Sequence, residues 1–343
     1  MRRRLLRWVL SICVIGAVVW SGWWFVGSEG QKAGLEAWFE QQRKQGWQAE
    51  AASVEVSGYP DAFNLVAREM ALADPATGWA WNAPEWKVDS TSTTPTRFTV
   101  TWPDVQTIAV PGAKADIRSE IMTSVLDVRP GPSMELRQLA GDIRALAITG
   151  EQGWKAGADE VSLDLFEKPA DLGPPNSYDL EFSSTKLKLP KEVVAAIDPT
   201  GWLKPAVDRV TISGHAAFQE PIDRIALEEG RLALRAATIR EAGFEWGDMR
   251  LVAKGAVQID DRGFPVGKIE IDAREWRQMI RLAVSAGIVD SDTARSVTKG
   301  VEFLTVLTGG GDDLSLPIGL SGGKVRLGPF AIADAPRLAP PQL

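Results

Sequence analysis

Hydrophobicity is concentrated first in one unbroken block. From Trp8 to Val26 the chain carries no Asp, Glu, Lys or Arg, a run of 19 residues. At 1.5 Å per residue such a helix nearly spans a hydrocarbon core about 30 Å thick, and Leu5 and Leu6 extend it. The run ends in Trp23-Trp24-Phe25, bulky rings suited to a membrane interface, whereas a cleaved leader ends in small residues before its cut site. Residues 1–27 are therefore predicted to form a short cytoplasmic tip and an uncleaved transmembrane signal anchor. Arg2, Arg3, Arg4 and Arg7 precede the span and Glu29 is the first acid after it. The positive-inside rule then keeps the N-terminus cytoplasmic and exports the C-terminus. Residues 28–48 follow as a juxtamembrane helix, a stalk or surface-lying segment, with Leu35, Trp38 and Phe39 at helical spacing.

Beyond Ala49 the period falls from about 3.6 to 2. Ala52, Val54, Val56 and Gly58 alternate with Ser53, Glu55 and Ser57, the mark of a half-buried strand. The longest alternation places Met249, Leu251, Ala253, Gly255, Val257 and Ile259 on one face, then turns at Asp260-Asp261-Arg262-Gly263. Gly267, Ile269 and Ile271 resume it, which predicts a hairpin with one wet face. Similar runs lie at 178–182, 210–218, 232–236 and 314–320. Few crossover helices separate them, so the pairing is expected to be antiparallel. Pro190 to Ile197 is expected to make two helical turns. Asp272 with Glu275 reads as a capping box for a helix over 273–286, and a second amphipathic helix is expected over 292–308, stopped by Gly309-Gly310-Gly311. The expected body covers 49–335, followed by a disordered proline-rich tail at 336–343.

Charge and cysteine narrow the class. The chain has a formal net charge of −7, and removal of the four leading arginines leaves about −11 for the exported part. That charge disfavours nucleic acid as a partner. The one cysteine, Cys13, lies in the anchor, so burial rather than disulfides must hold the body.

Candidate chemistry is sparse. Gly319-Leu320-Ser321-Gly322-Gly323 matches a nucleophile-elbow pattern, but no histidine follows Ser321 and the next residues read as a strand. His215, the only histidine, falls on a polar strand face without companion ligands. The acidic pairs Asp312-Asp313, Glu228-Glu229 and Asp260-Asp261 lack calcium-loop spacing, and Lys324 follows Gly322-Gly323 without a phosphate-loop pattern. The turn tryptophans Trp79, Trp81, Trp154 and Trp246 suit packing caps more than sugar platforms. No catalytic, cofactor-binding or metal-binding residue is assigned, no cofactor is expected, and an enzyme is not expected.

Ser57-Gly58-Tyr59-Pro60 with Phe63, and Trp81-Asn82-Ala83-Pro84, resemble DUF2125, a family of uncharacterised bacterial envelope proteins. Gly255 to Gly267, Leu316-Pro317-Ile318 and Gly323 to Pro329 are loosely similar to the ends of AsmA-like proteins. The resemblance implies a single-pass inner-membrane protein with a periplasmic β-rich body, in a group whose curved sheets are thought to handle lipids.

The expected architecture is mainly β with a few helices: a transmembrane helix, then an extended, bent antiparallel sheet forming an AsmA-like trough, with two late amphipathic helices. The expected function is binding or conveying an apolar molecule, a lipid, in envelope maintenance. The alternative is a scaffold or assembly factor that binds an envelope protein partner through its sheet edges. The inner membrane, through residues 5–26, is a partner in either case.

Overall fold

A computed structural model describes residues 2–169, 171, 173–287, 289–292, 294–295, 298–299, 301–302, 313–328 and 330–338, with side chains of the first helix described from Val14 onward. Eighteen strands and four helices occur among these residues. The chain is thus mainly β, and its strand pairings are antiparallel. It divides into two units, Met1–Asp127 and Val128–Leu343.

In the first unit, helix α1 (Arg2–Lys44) runs 43 residues without interruption, so residues 28–44 of the expected juxtamembrane segment continue the same helix as the uncharged run. This stretch packs on the strands of the unit, with Ser28 and Phe39 buried. Phe39 is buried against Ala49, Leu65, Ala67, Met70, Trp81 and Ala83, with Leu35 beside it. The strands are β1 (Gln48–Glu50), β2 (Ser53–Ser57), β3 (Ala62–Asp74), β4 (Trp79–Thr91), β5 (Thr94–Thr101), β6 (Val105–Val110), β7 (Ala113–Arg118) and β8 (Ile121–Val128). The long strand β3 carries β1 and β2 on one edge and β4 on the other. Strand β4 in turn pairs with β5 and β6, β5 with β8, and β6 with β7. Trp81 is buried here and donates its indole N–H to Gln106 Oε1 at 2.7 Å, so this turn tryptophan is a core residue.

The second unit is a meander. Its elements are β9 (Leu136–Gly150), β10 (Lys155–Glu167), β11 (Ser177–Lys188), α2 (Lys191–Ile197), β12 (Ala206–Phe218), α3 (Arg224–Glu228), β13 (Leu234–Trp246), β14 (Met249–Ile259), β15 (Pro265–Arg274), α4 (Trp276–Ser285), β16 (Asp313–Ser321), β17 (Lys324–Leu327) and β18 (Phe330–Asp334). Each strand pairs antiparallel with the next in sequence.

The hairpin read from 249 to 271 is present as β14 and β15, with Asp260 Oδ1 accepting backbone N–H groups from Arg262 and Phe264 at 3.0 and 2.9 Å. The expected capping box is absent. Asp272 and Arg274 remain in the ladder between β14 and β16, and α4 starts only after Glu275, which adopts the left-handed conformation with no side-chain cap bond. Two neighbouring strands satisfy more backbone groups over 272–274 than a helical turn would. Most of the second expected helix, with Gly309-Gly310-Gly311 and Asp312, lies outside the described residues. Val301 within it is buried against Ala273 and Trp276.

Candidate functional site

Register brings the apolar alternations of the second unit onto one face. Leu139, Leu165, Leu180, Gly214, Ile239, Gly255, Ile269, Ile318 and Leu327 lie opposite one another across nine successive strands, β9 to β17. Two residues along, the next row reads Gly141, Leu163, Phe182, Ile212, Ala242, Ala253, Ile271 and Leu316. A sheet face in a dry core would bury such side chains. Here, apart from Gly214, none of the two rows is fully buried, and Ile212 is 41% exposed.

Packed clusters lie toward the two ends of the strands that carry the band. At one end Val207, Trp246 and Met249 form a buried cluster with Val210, Phe244, Ile197 of α2 and Met279 and Leu282 of α4. Beside it Trp276, Ala273 and Val301 pack on Leu314 and Leu316. At the other end Tyr178 is 1% exposed. Its hydroxyl donates to the Leu136 carbonyl and accepts the Ile222 N–H, both at 3.2 Å, and burial raises its pKa above the ordinary value. Perpendicular to the strands, at about 4.8 Å per strand, the band runs roughly 40 Å from β9 to β17. An acyl chain reaches about half of a 30 Å hydrocarbon core, so the band exceeds a lipid tail in length. Its two rows contain no titratable group, which suits adsorption of an apolar chain and offers nothing for proton transfer.

The opposite face is polar. Asp164 sits across from Glu181, which pairs with Ser213, which pairs with Glu241. Burial, then the charges of Asp142 and Glu181, push the Asp164 carboxyl above its ordinary pKa. His215 lies on this face between Asp179 and Thr238. Ser321 ends β16 and is exposed, with the Gly322-Gly323 turn leading into β17, so no strand-to-helix elbow exists around it. An open cleft of about 400 Å³ is lined by Arg250, Lys254, Asp272, Arg274 and Asp313 among others, with Arg274 paired to Asp313 at 3.6 Å. No group of three potential metal-ligating side chains occurs among the described residues. The polar face therefore collects the sequence candidates without assembling them into a reactive site.

In the first unit, α1 is gripped by the turn between β2 and β3. Trp20 Nε1 donates to the Pro60 carbonyl at 2.8 Å and Trp24 Nε1 to the Ala62 carbonyl at 2.7 Å. The Tyr59 hydroxyl lies 2.7 Å from Ser21 Oγ, and its ring stacks on Phe25 with centroids 6.3 Å apart. Trp24 is stacked on Phe63 at 5.8 Å. Tyr59, Pro60 and Phe63 are among the residues through which the chain resembles DUF2125. A family model described as an uncharacterized protein conserved in bacteria, DUF2125, matches residues 24–336.

The chain belongs to the DUF2125 family. The match covers the docked half of α1 and nearly all of both units of this DUF2125 protein. Comparison with curated proteins and with solved structures gives no match. Among the described residues no helix is long and apolar enough to cross a membrane. The side chains described on α1 begin at Val14, within the uncharged run of the DUF2125 chain.

Sequence reasoning missed two parts of these sites. The clasp of Tyr59 and Pro60 on α1 joins residues 38 to 40 positions apart, and only the aromatic content of the turn signalled it. Strands β9 and β10, which supply Leu139, Leu163 and Leu165, were not predicted because Leu136 to Gly150 mixes apolar and polar residues without a steady period of two.

Proposed function

We propose that this DUF2125 protein is a non-enzymatic, single-pass inner-membrane protein whose periplasmic second unit binds or conveys lipid on the apolar face of its meander. The observation that supports this reading most is the register-locked band of half-buried apolar side chains across nine strands, flanked by packed clusters toward the strand ends. Folded soluble surfaces seldom leave continuous apolar patches of this extent, and where they do the patch meets a ligand or partner. The anchor rests on the uncharged run from Trp8 to Val26 after four arginines and on the exposure of Val14, Ile15, Val18, Val19 and Val26 along α1.

Site-specific photocrosslinking in cells tests the lipid. Benzoylphenylalanine replaces Ile212, on the apolar face, or Thr211, its neighbour on the polar face. Lipid adducts by mass spectrometry at position 212 alone are the expected result. Protein adducts at 212 would favour the scaffold alternative, and absence of adducts at both positions would remove the lipid-binding reading.

A further inference from the structure

We infer that the β2–β3 turn at Tyr59-Pro60 is itself a membrane-contacting element, seated in the interfacial layer of the bilayer where α1 leaves the folded unit. The inference rests on α1 spanning the membrane.

Helix α1 has two kinds of surface. From Gly27 onward it lies on the sheet: Ser28 and Phe39 are buried, and Gln31 Nε2 donates to Ser90 Oγ at 3.0 Å. Gly27 marks the closest approach, because a Cβ there would stand 2.6 Å from Cζ of the buried Phe63. Between Val14 and Val26 the apolar side chains other than the buried Trp24 turn outward, with Val18 at 65% and Val26 at 70% exposed. The Tyr59-Pro60 turn is bonded to Trp20 and Ser21, and Ala62 just after it accepts from Trp24, all on the outward half, so the turn reaches past the sheet along that half of α1.

Unbroken helix and hydrogen-bonded turn set the level of Tyr59. It must sit at the same height as Trp20 to Phe25, and the chemistry at that height is that of an aromatic belt. Trp20, Trp23, Phe25 and Tyr59 are all exposed. Tryptophan and tyrosine are amphipathic rings enriched at bilayer interfaces, where one end is apolar and the other wet. Two of the indole N–H groups and the Tyr59 hydroxyl are already bonded within the protein. The exposed rings of Trp20 and Tyr59 therefore enter the acyl boundary without carrying unsatisfied donors with them, while Trp24 stays packed on Phe63. In water the same exposed cluster would be a costly patch on a small turn. The occupant that fits it is the lipid surface through which α1 passes.

The test uses the full chain in a Cys13→Ser background, reconstituted in phosphatidylethanolamine–phosphatidylglycerol vesicles. Single cysteines at Val18, Tyr59, Asp61 or Ala76 carry a polarity-sensitive nitrobenzoxadiazole probe. Lipids spin-labelled near the headgroup end of the acyl chain act as quenchers. Ala76 lies in the turn at the far end of the 13-residue strand β3, roughly 40 Å away. Quenching at Val18 and at either turn position, with none at Ala76, is the expected result. Quenching at Val18 with both turn probes at the Ala76 level would overturn the inference and leave the anchor intact. No quenching at Val18 would remove the membrane span and, with it, the inference.

Discussion

At the scale of single residues, two carboxylates illustrate opposite consequences of burial. Asp164 is pushed up by burial and by Asp142 and Glu181, so its ionised form opposes folding at neutral pH. Replacing it by Asn removes that opposition, and Asp164→Asn should melt at a higher temperature than the parent at pH 7. The difference should shrink as the medium is acidified, when Asp164 is protonated in the parent. Asp198 behaves oppositely. Burial alone would raise it, but the Leu203 N–H at 2.7 Å, the Thr200 hydroxyl and the Gly201 N–H, both at 2.9 Å, hold it below the ordinary value of 3.8. A depressed carboxylate contributes stability above its unfolded pKa, and that contribution disappears as pH falls through the folded value. The melting temperature should therefore drop below about pH 3.8, and Asp198→Ala should flatten that part of the profile. Neither position was visible as special in the sequence, because both shifts arise from neighbours in space. By contrast the polar-face position of His215 was legible, since alternation along β12 alone assigns it.

Among elements, β13 shows where alternation misleads. Alternation marks only Leu232 to Ala236, yet the strand extends from Leu234 to Trp246. Between Ile239 and Ala242 its register with β14 shifts, so a bulge inserts an extra residue. That residue changes the phase of the pattern, which makes Ala242, Phe244 and Trp246 share the face of Ile239 instead of opposing it. A strict period of two cannot recognise such a strand, whereas β14, unbroken in phase, was read almost to its ends. Helix α4 was legible by its stripe and mislocated at its start, because the ladder of β15 retained residues 272–274. Its role in packing is open to measurement. Val301→Asp places a carboxylate against Ala273 and Trp276 and should cost roughly 3 kcal/mol by chemical denaturation. On α1, Gly27→Leu forces the helix off Phe63 and should lower stability by about 1–3 kcal/mol in the same assay.

For the whole molecule, class and connectivity were more legible than extent. Short-range alternation announced antiparallel pairing between sequence neighbours, and a meander needs nothing else. What could not be read was that nine strands keep one apolar row in register, since that depends on bulges and turn lengths summed over nearly two hundred residues. The first unit was hardly foreseen, because β3 receives β1 and β2 on the same edge, an arrangement no local pattern encodes.

The continuity of α1 has a mechanical consequence. A helix that enters the sheet core without a kink or flexible joint moves with that sheet as a lever moves with its arm. With α1 in the bilayer, a thinner hydrocarbon layer is accommodated by tilting the helix, and the tilt swings the first unit through the same angle. Its far turn at Ala76 then descends toward the headgroups while Tyr59, near the pivot, scarcely moves. Energy transfer from a probe at Ala76 to acceptor-labelled headgroups should accordingly rise in short-chain vesicles and fall in long-chain ones. A flexible glycine–serine insertion after Val26 should leave that dependence in place, because the β2–β3 region still holds Trp20, Ser21 and Trp24 ahead of the insertion and so keeps bilayer thickness coupled to the attitude of the folded unit.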